Sequence, residues 1–506
     1  MYTDERGDIM KKILSIMAAA AIFAGCCSCS EKKKEKDTDK NDTDIVSETV
    51  GTSDEQALDE PVEQEFRTYS ADHFKTININ TNVTDAKPPI KEHNINISQL
   101  DFGSRISPCR DEKYIERYNY LNDITYDDEY RKQIEEMWEK SKTEPAYGVV
   151  VDVCIEGKYI YAVVSYDVMC KEGMHEVSIF RLDNETNEKE ELFRYSDPEE
   201  SCNIYDIYCL NGVIYVYRLG SGICYLDEEK QELVTIKELS ENISIRFRPN
   251  SAGRFIVEIE NEERELVPND YEPKEGEELY SYDGTQTYLM KGSETSIEEF
   301  DFNTKTWKQL YSTKRGPNEY IETGTPEYPE ISGKYFAWKE KPEKSRKFDI
   351  VTEKYRVSTG LTGCEIRYAD DDKVIAVQYN LQGSGANESR LHIYDLRKAE
   401  HYIIDSSGYG SIFSVLGDGL IVTKTSGDGD LYYLMPELGM FFKLEPLGGV
   451  NMSATTNYYS EAYVASGDIV TFEVLKQTNP REVEVEGYKH TEYDFENELY
   501  WFTLEE

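Results

Sequence analysis

The sequence predicts an all-β chain whose body is a β-propeller of about seven blades, with six to eight compatible, preceded by a small helix-containing region and a disordered tether. Three observations carry that expectation. Tyr is abundant, at 39 of 506 residues, and aromatic and β-branched side chains suit pleated, half-buried surfaces. A turn residue followed by a strongly apolar strand recurs through most of the chain. From Gly333 onward that recurrence falls every forty to fifty positions or so, the spacing of four-stranded blades.

The propeller is assigned to 144–506. Its turn-strand units are Gly157 before Tyr159-Ile160-Tyr161, Gly212 before Val213-Ile214-Tyr215, and Gly284 before Tyr288-Leu289. They continue with Gly333 before Tyr335-Phe336-Ala337, Asp372 before Val374-Ile375-Ala376, Gly419 before Leu420-Ile421-Val422, and Gly467 before Ile469-Val470. A second strand follows most of these and ends in an acidic turn, at Asp183, Asp227, Asp301, Asp349, Asp395 and Asp494. Asp accepts hydrogen bonds from backbone amides two residues on, which holds a tight turn between antiparallel strands. The gap from Gly212 to Gly284 is too long for one blade, so Gly253 before Phe255-Ile256-Val257 either opens an extra unit or belongs to the same one. Two stacked β-sandwiches are the competing arrangement. A propeller differs by packing each sheet against the next around a ring, which limits exposed edges.

Before the propeller, 66–143 forms a strand and helix region. Thr76 to Val83 and Asn94 to Leu100 alternate in the strand manner. Tyr126 to Lys142 reads as a helix with Thr125 as N-cap, Asp127, Asp128 and Glu129 in its first turn, and Ile134, Met137 and Trp138 on one stripe. Residues 27–65 are rich in Glu, Lys, Asp, Thr and Ser and cannot bury enough surface to offset ordering entropy, so a disordered acidic linker is expected.

Residues 1–26 carry Lys11-Lys12, the apolar run Ile13 to Ala24, and Gly25-Cys26. A short basic start, an apolar stretch and small residues before a cysteine describe an export signal. Phe23-Ala24-Gly25-Cys26 resembles the lipobox of bacterial lipoproteins, with Phe23 where that family usually carries Leu. The resemblance implies diacylation at Cys26, cleavage before it, and a protein held at the extracytoplasmic face of a cell membrane by its lipid. Asp4, Glu5 and Asp8 are foreign to such a signal, which makes Met10 the expected start. The unit Asp371-Asp372-Lys373-Val374-Ile375-Ala376-Val377 with Leu391-His392-Ile393-Tyr394-Asp395-Leu396 resembles blades of TolB-like propellers, Lys373 replacing the usual Gly. That resemblance implies a fold and carries no functional residues.

Composition limits the function classes. With 56 Lys+Arg against 99 Asp+Glu, the formal charge is -43, a field that repels phosphates, so no nucleic-acid partner is expected. The same charge favours a soluble monomer. Seven cysteines downstream of the signal, irregularly spaced, do not describe a disulfide framework. The six His residues show no HxH or HExxH spacing, and no GxSxG elbow or P-loop is present. No cofactor or metal is therefore expected, and Asp370-Asp371-Asp372 and Asp428-Gly429-Asp430 read as turns rather than calcium loops.

One local feature opposes the overall charge. Lys339, Lys341, Lys344, Arg346 and Lys347 crowd between two strands, on the side where the loops Tyr166 to Glu176 and Asn380 to Ser389 also open. They make a candidate docking loop for an anionic envelope partner, against the plainer alternative of a solvated hairpin. The expected function is a membrane-anchored binding or scaffolding propeller whose partner is an envelope protein or a glycan. The alternative is a surface enzyme acting on polysaccharide through paired carboxylates.

Overall fold

The computed structural model describes residues 66–505 apart from 109–131, 133–135, 137–138, 141, 167–172, 240–242, 249–251, 269–270, 272, 275–278, 283–285, 316–332, 341–346, 380–388, 406–408, 425–430, 445–462, 466–468 and 486–487. Cys26, the signal and the tether lie outside the described residues. So does most of the expected helix, of which Lys132, Glu136, Glu139 and Lys140 are helical, Lys132 Nζ lying 3.9 Å from Glu136.

Among the described residues the strands form seven sheets of four or five strands, the blades of a propeller, and one two-stranded pairing. Each blade is an antiparallel meander running outward from the centre. Blade I comprises Val149–Glu156, Tyr159–Ser165, Glu176–Asp183 and Lys189–Ser196. Blade II follows with Ile204–Leu210, Val213–Arg218, Gly222–Asp227 and Glu232–Lys237. Blade III holds Ile243–Phe247, Phe255–Val267, Gln286–Asp301 and Thr306–Arg315, with Leu279–Tyr282 beside the far end of its third strand. Blade IV shows Ala337–Glu340, Phe348–Thr352 and Tyr355–Leu361. Blade V holds Glu365–Ala369, Lys373–Tyr379, Ser389–Asp395 and Glu400–Asp405. Blade VI has Tyr409–Leu416, Gly419–Lys424, Leu431–Met435 and Met440–Lys443, and blade VII has Tyr463–Ala465, Ile469–Val485 and Tyr488–Leu504.

Successive residues of a strand point to opposite faces, and here both faces are covered. In blade V, Val374 and Ala376 pack with Ile350 and Val357 of blade IV, while Ile375 and Val377 pack with Leu420 and Val422 of blade VI. Every consecutive pair of blades shares such a core. Cys209 and Val216 meet Tyr161 and Val163 between II and I; Tyr215 stacks on Phe255 between II and III, ring centroids 3.8 Å apart. Phe336 fills the III/IV interface with Ile256 and Ile297, and Tyr433 meets Val470 and Phe502 between VI and VII. Leu499 and Trp501 of blade VII close on Ile155 and Ile160 of blade I. Burial of both faces is why these strands read as unbroken apolar runs. Cys202, Cys209, Cys224 and Cys364 sit in this interior as free thiols, small hydrophobes by behaviour.

The acidic turns form as the residues suggest at four places. Asp183 Oδ1 accepts from the amides of Glu185 (2.9 Å) and Thr186 (3.0 Å), Asp301 from Asn303 (2.8 Å), Asp227 from Lys230 (3.2 Å) and Asp395 from Lys398 (2.7 Å). Two expected turns are not turns. Asp349 lies in Phe348–Thr352, where Thr352 Oγ1 takes the turn role by accepting from Lys354 and Tyr355. Asp494 lies within Tyr488–Leu504. Tyr288-Leu289 likewise opens no unit: it belongs to the third strand of blade III, whose second strand starts at Phe255 after Gly253 (φ +63°). The long gap therefore spans two blades: Gly253 opens the unit of blade III, whose second strand runs 13 residues.

Residues 66–105, expected as part of a preceding region, are woven into the ring. β1 (Arg67–Tyr69) pairs parallel with Tyr355–Leu361 of blade IV, β2 (Lys75–Ile79) parallel with Glu400–Asp405 of blade V, and β3 (Asn82–Thr84) parallel with Met440–Lys443 of blade VI. β4 (Ile90–Asn96) pairs antiparallel with Glu498–Leu504 and completes blade VII. The strap then reaches blade I. Arg105 lies 4.4 Å over the Tyr166 ring and donates to Glu191 (2.7 Å), Ser178 Oγ (2.7 Å) and the wholly buried Glu176 (3.1 Å). Tyr166 donates its hydroxyl to the Phe102 carbonyl at 2.8 Å.

Ring closure concentrates on Trp501, which stacks on His93 of β4 (5.1 Å, 4° between planes) and packs with Ile155 and Ile160. Trp501→Ala is expected to cost about 3–5 kcal/mol in urea unfolding. Val83→Ser, at an exposed site, is expected to shift stability by less than about 0.5 kcal/mol.

Candidate binding face

The meander sorts the loops onto two faces. Turns between first and second strands and between third and fourth strands share one face, and there the Asp-capped turns are short. Links between second and third strands share the other, and on this face two hairpins stand out. In blade III the second and third strands run 13 and 16 residues; in blade VII both run 17. Among the described residues β4 pairs only with 498–504 and Tyr463–Ala465 only with 469–471. Tyr488–Asn497 therefore projects beyond its neighbours by on the order of 30 Å at about 3.3 Å per residue. Blades III and VII lie nearly opposite one another in a ring of seven, so the hairpins flank the channel.

The first strands form the channel wall, and near the hairpin face their ladders slip. The unpaired residue is Val151 in blade I, Tyr205 in blade II and Arg367 in blade V; blade VI slips at Gly410 and Phe413. A bulge inserts an extra residue and re-aims its side chain. Val151 and Tyr205 remain 37% and 36% exposed on strands whose other residues are mostly covered. On an innermost strand, that exposure faces the channel. The Tyr205 ring lies 6.4 Å from Tyr217, and Arg367 pairs with Glu365 at 2.5 Å.

Each of the first two bulges is followed by an acid. Asp152 Oδ2 accepts from the Ile207 amide at 2.7 Å, so a carboxylate of blade I satisfies an edge donor of blade II. Glu156 Oε2 accepts from the amide of Gly212, in the turn between the first two strands of blade II, at 2.9 Å. Burial pushes the Asp206 carboxyl up to about 6, against the opposing pull of Arg246 on the first strand of blade III.

The basic loop is smaller than expected. Lys339 belongs to Ala337–Glu340, is 6% exposed, and donates from Nζ to the Cys364 carbonyl at 3.1 Å. The strand runs three residues past Ala337 and carries Lys339 inside, so it is no docking charge. Lys347 is exposed just before Phe348–Thr352 and belongs to the hairpin face by topology; Lys341, Lys344 and Arg346 lie outside the described residues.

The acidic run in blade V is engaged in its own turn. Asp370 Oδ1 accepts from the amides of Asp372 (2.8 Å) and Lys373 (2.7 Å), and Asp371 pairs with Lys334 and Tyr335 of blade IV. Asp428-Gly429-Asp430 lies outside the described residues. One pair escaped the sequence reading: His392 Nδ1 lies 3.0 Å from His401 Nε2, and the His401 ring stacks on Tyr394 at 4.2 Å. Burial pulls both imidazoles down to about 4. The hairpin register, Asp395 opposite Glu400, is the signal that brings them together. Among the described residues no three His, Cys, Asp or Glu side chains are placed to hold a metal ion.

No protein-family model matches the sequence, and no curated protein matches it. Among solved structures it is similar to an oligogalacturonate lyase from Vibrio parahaemolyticus (12% identity, TM-score 0.35, covering 70% of this chain and 89% of that one). It is also similar to the β-propeller domain of the Trilobed protease from Pyrococcus furiosus (13% identity, TM-score 0.34, 65% and 89%). A third is the acylaminoacyl peptidase of Pyrococcus horikoshii (11%, 0.39, 68% and 57%). Likenesses this distant say nothing of activity.

Because the folded protein raises the Asp206 carboxyl, it holds that proton more tightly than the unfolded chain. Its contribution is present at low pH and is lost as pH rises from about 4 through about 6. Asp206→Asn is therefore expected to exceed the parent by about 1–3 kcal/mol at pH 7.5 and to match it near pH 4, in urea unfolding at both values. An equal difference at both would refute this assignment.

Proposed function

We propose that the protein is a membrane-anchored extracytoplasmic propeller that binds or scaffolds an envelope protein or glycan through its hairpin face. The carrying observation is the asymmetry of the ring. One face carries mostly short turns, several of them held by an Asp or Thr of the turn itself; the other gathers both long hairpins, the channel bulges and Lys347. Loops on a rigid scaffold are where recognition concentrates. Lys341, Lys344 and Arg346 stand in sequence between Ala337–Glu340 and Phe348–Thr352 of blade IV and keep their proposed role as an anionic docking spot. The anchor rests on Cys26 and its lipobox-like context.

The second reading, a surface enzyme on polysaccharide, draws on Asp206, whose raised carboxyl suits a general acid at mildly acidic pH. Such an enzyme needs a second converging carboxylate, and neighbouring Asp152 is committed to the Ile207 amide.

Cys26→Ala is expected to move the protein from the membrane pellet to the soluble fraction and to abolish the mass of two acyl chains on the Cys26 peptide. Retention in the pellet would refute the anchor. Double charge reversal, Lys344→Glu with Arg346→Glu, is expected to weaken co-sedimentation with purified anionic wall polymer at least tenfold. Asp206→Asn should leave that binding intact but remove any polysaccharide cleavage.

A further inference from the structure

The strap strands divide by whether their blade is complete without them. Blade VII shows three strands of its own, and β4 is the fourth: seven residues, antiparallel, with Ile90 and neighbouring Ile97 buried and His93 stacked on Trp501. Blades V and VI each have four strands already, and β2 and β3 are fifth strands laid parallel on finished sheets. β1 also lies parallel on its blade, where it is the fourth strand beside the three described for blade IV.

All three parallel strands are entered by one repeated contact, an amide at the strand start donating to the turn before the blade's last strand. Arg67 donates to Lys354 O (3.1 Å), Lys75 to Ala399 O (2.9 Å) and Asn82 to Gly439 O (2.8 Å). At Gly439 the approach is so close that a Cβ would stand 2.3 Å from Asn80 O. What these strands bury is slight. Most of their side chains are exposed, and the apolar anchors are Tyr69, Phe74 edge-on to Tyr394 at 5.3 Å, and Ile77 and Ile79 against the V/VI core. Short parallel ladders with few apolar anchors belong to the low end of local stability, and the edge beneath them is a ready template for another strand.

We infer that residues 67–84 are a detachable clasp, and that the edge under β2, Glu400–Asp405, is a docking strip for an extended segment of another protein. That segment runs parallel to Glu400–Asp405 and presents apolar side chains at alternate positions, as Ile77 and Ile79 do. Strand addition of this kind draws affinity from main-chain hydrogen bonds and specificity from alternate side chains. This surface lies on the rim of the ring and is independent of the hairpin face.

Two experiments test it. Hydrogen exchange on the intact chain should show amides of 75–79 and 82–84 exchanging at least a hundredfold faster than those of 90–96; equal protection overturns the clasp. The double variant Ile77→Ser, Ile79→Ser should keep the parent's unfolding midpoint within a few degrees. A labelled peptide with the sequence of 72–80 should bind that variant at least tenfold more tightly than it binds the parent, and the same peptide with both Ile replaced by Ser should not bind. A folded variant that ignores the peptide overturns the docking strip. A variant whose ring unfolds overturns the clasp, because the strap would then be integral to the body.

Discussion

A blade of this protein has two apolar faces and no means of covering either by itself. Val374 and Ala376 need blade IV, and Ile375 and Val377 need blade VI, so each sheet is stable only between two others. Such dependence has no natural end except closure, which falls on the pairing of β4 with Glu498–Leu504 and on Trp501 between His93 and blade I. The channel bulges and projecting hairpins are tolerable because the closed ring beneath them is over-determined.

Closure hides faces but leaves edges, and the chain treats inner and outer edges differently. On the inner strand and the turn that follows it, donors of blade II are met by carboxylates of the preceding blade, Asp152 for Ile207 and Glu156 for Gly212. On the rim of blades IV to VII, the strap occupies the outermost strand. Among the described residues the projecting half of the blade VII hairpin has no further strand beside it, and its ladder is interrupted between Thr478 and Arg481, where Asn479-Pro480 falls. Proline and bulges of this kind deter indiscriminate strand pairing.

How much of this was legible follows from range. Runs such as Val213-Ile214-Tyr215 announce strands covered on both faces, and Asp183, Asp227, Asp301 and Asp395 announce turns, because those interactions close within a few residues. Asp349 and Asp494 carry the same local pattern inside strands, and no nearby residue distinguishes them. Lys339 was misplaced because a single charge in an apolar strand imitates a loop when its acceptor, the Cys364 carbonyl, is 25 positions away. The strap's alternation at 76–83 was visible, but its partners were not: parallel additions to three blades leave no mark in the strand that makes them. At the channel mouth, Val151 and Tyr205 look like ordinary members of their strands until the register slips around them.

The strap also has a consequence for biogenesis. Asn96 and Glu496 bond at 2.8 Å across 400 positions, a loop whose closure costs on the order of 5 kcal/mol in chain entropy. β4 thus cannot find its place until the last strand of blade VII exists, whereas β1, β2 and β3 wait only for blades IV, V and VI. Until then β4 has no partner, and an unpaired strand in a newly made molecule is open to exchange with a crowded neighbour.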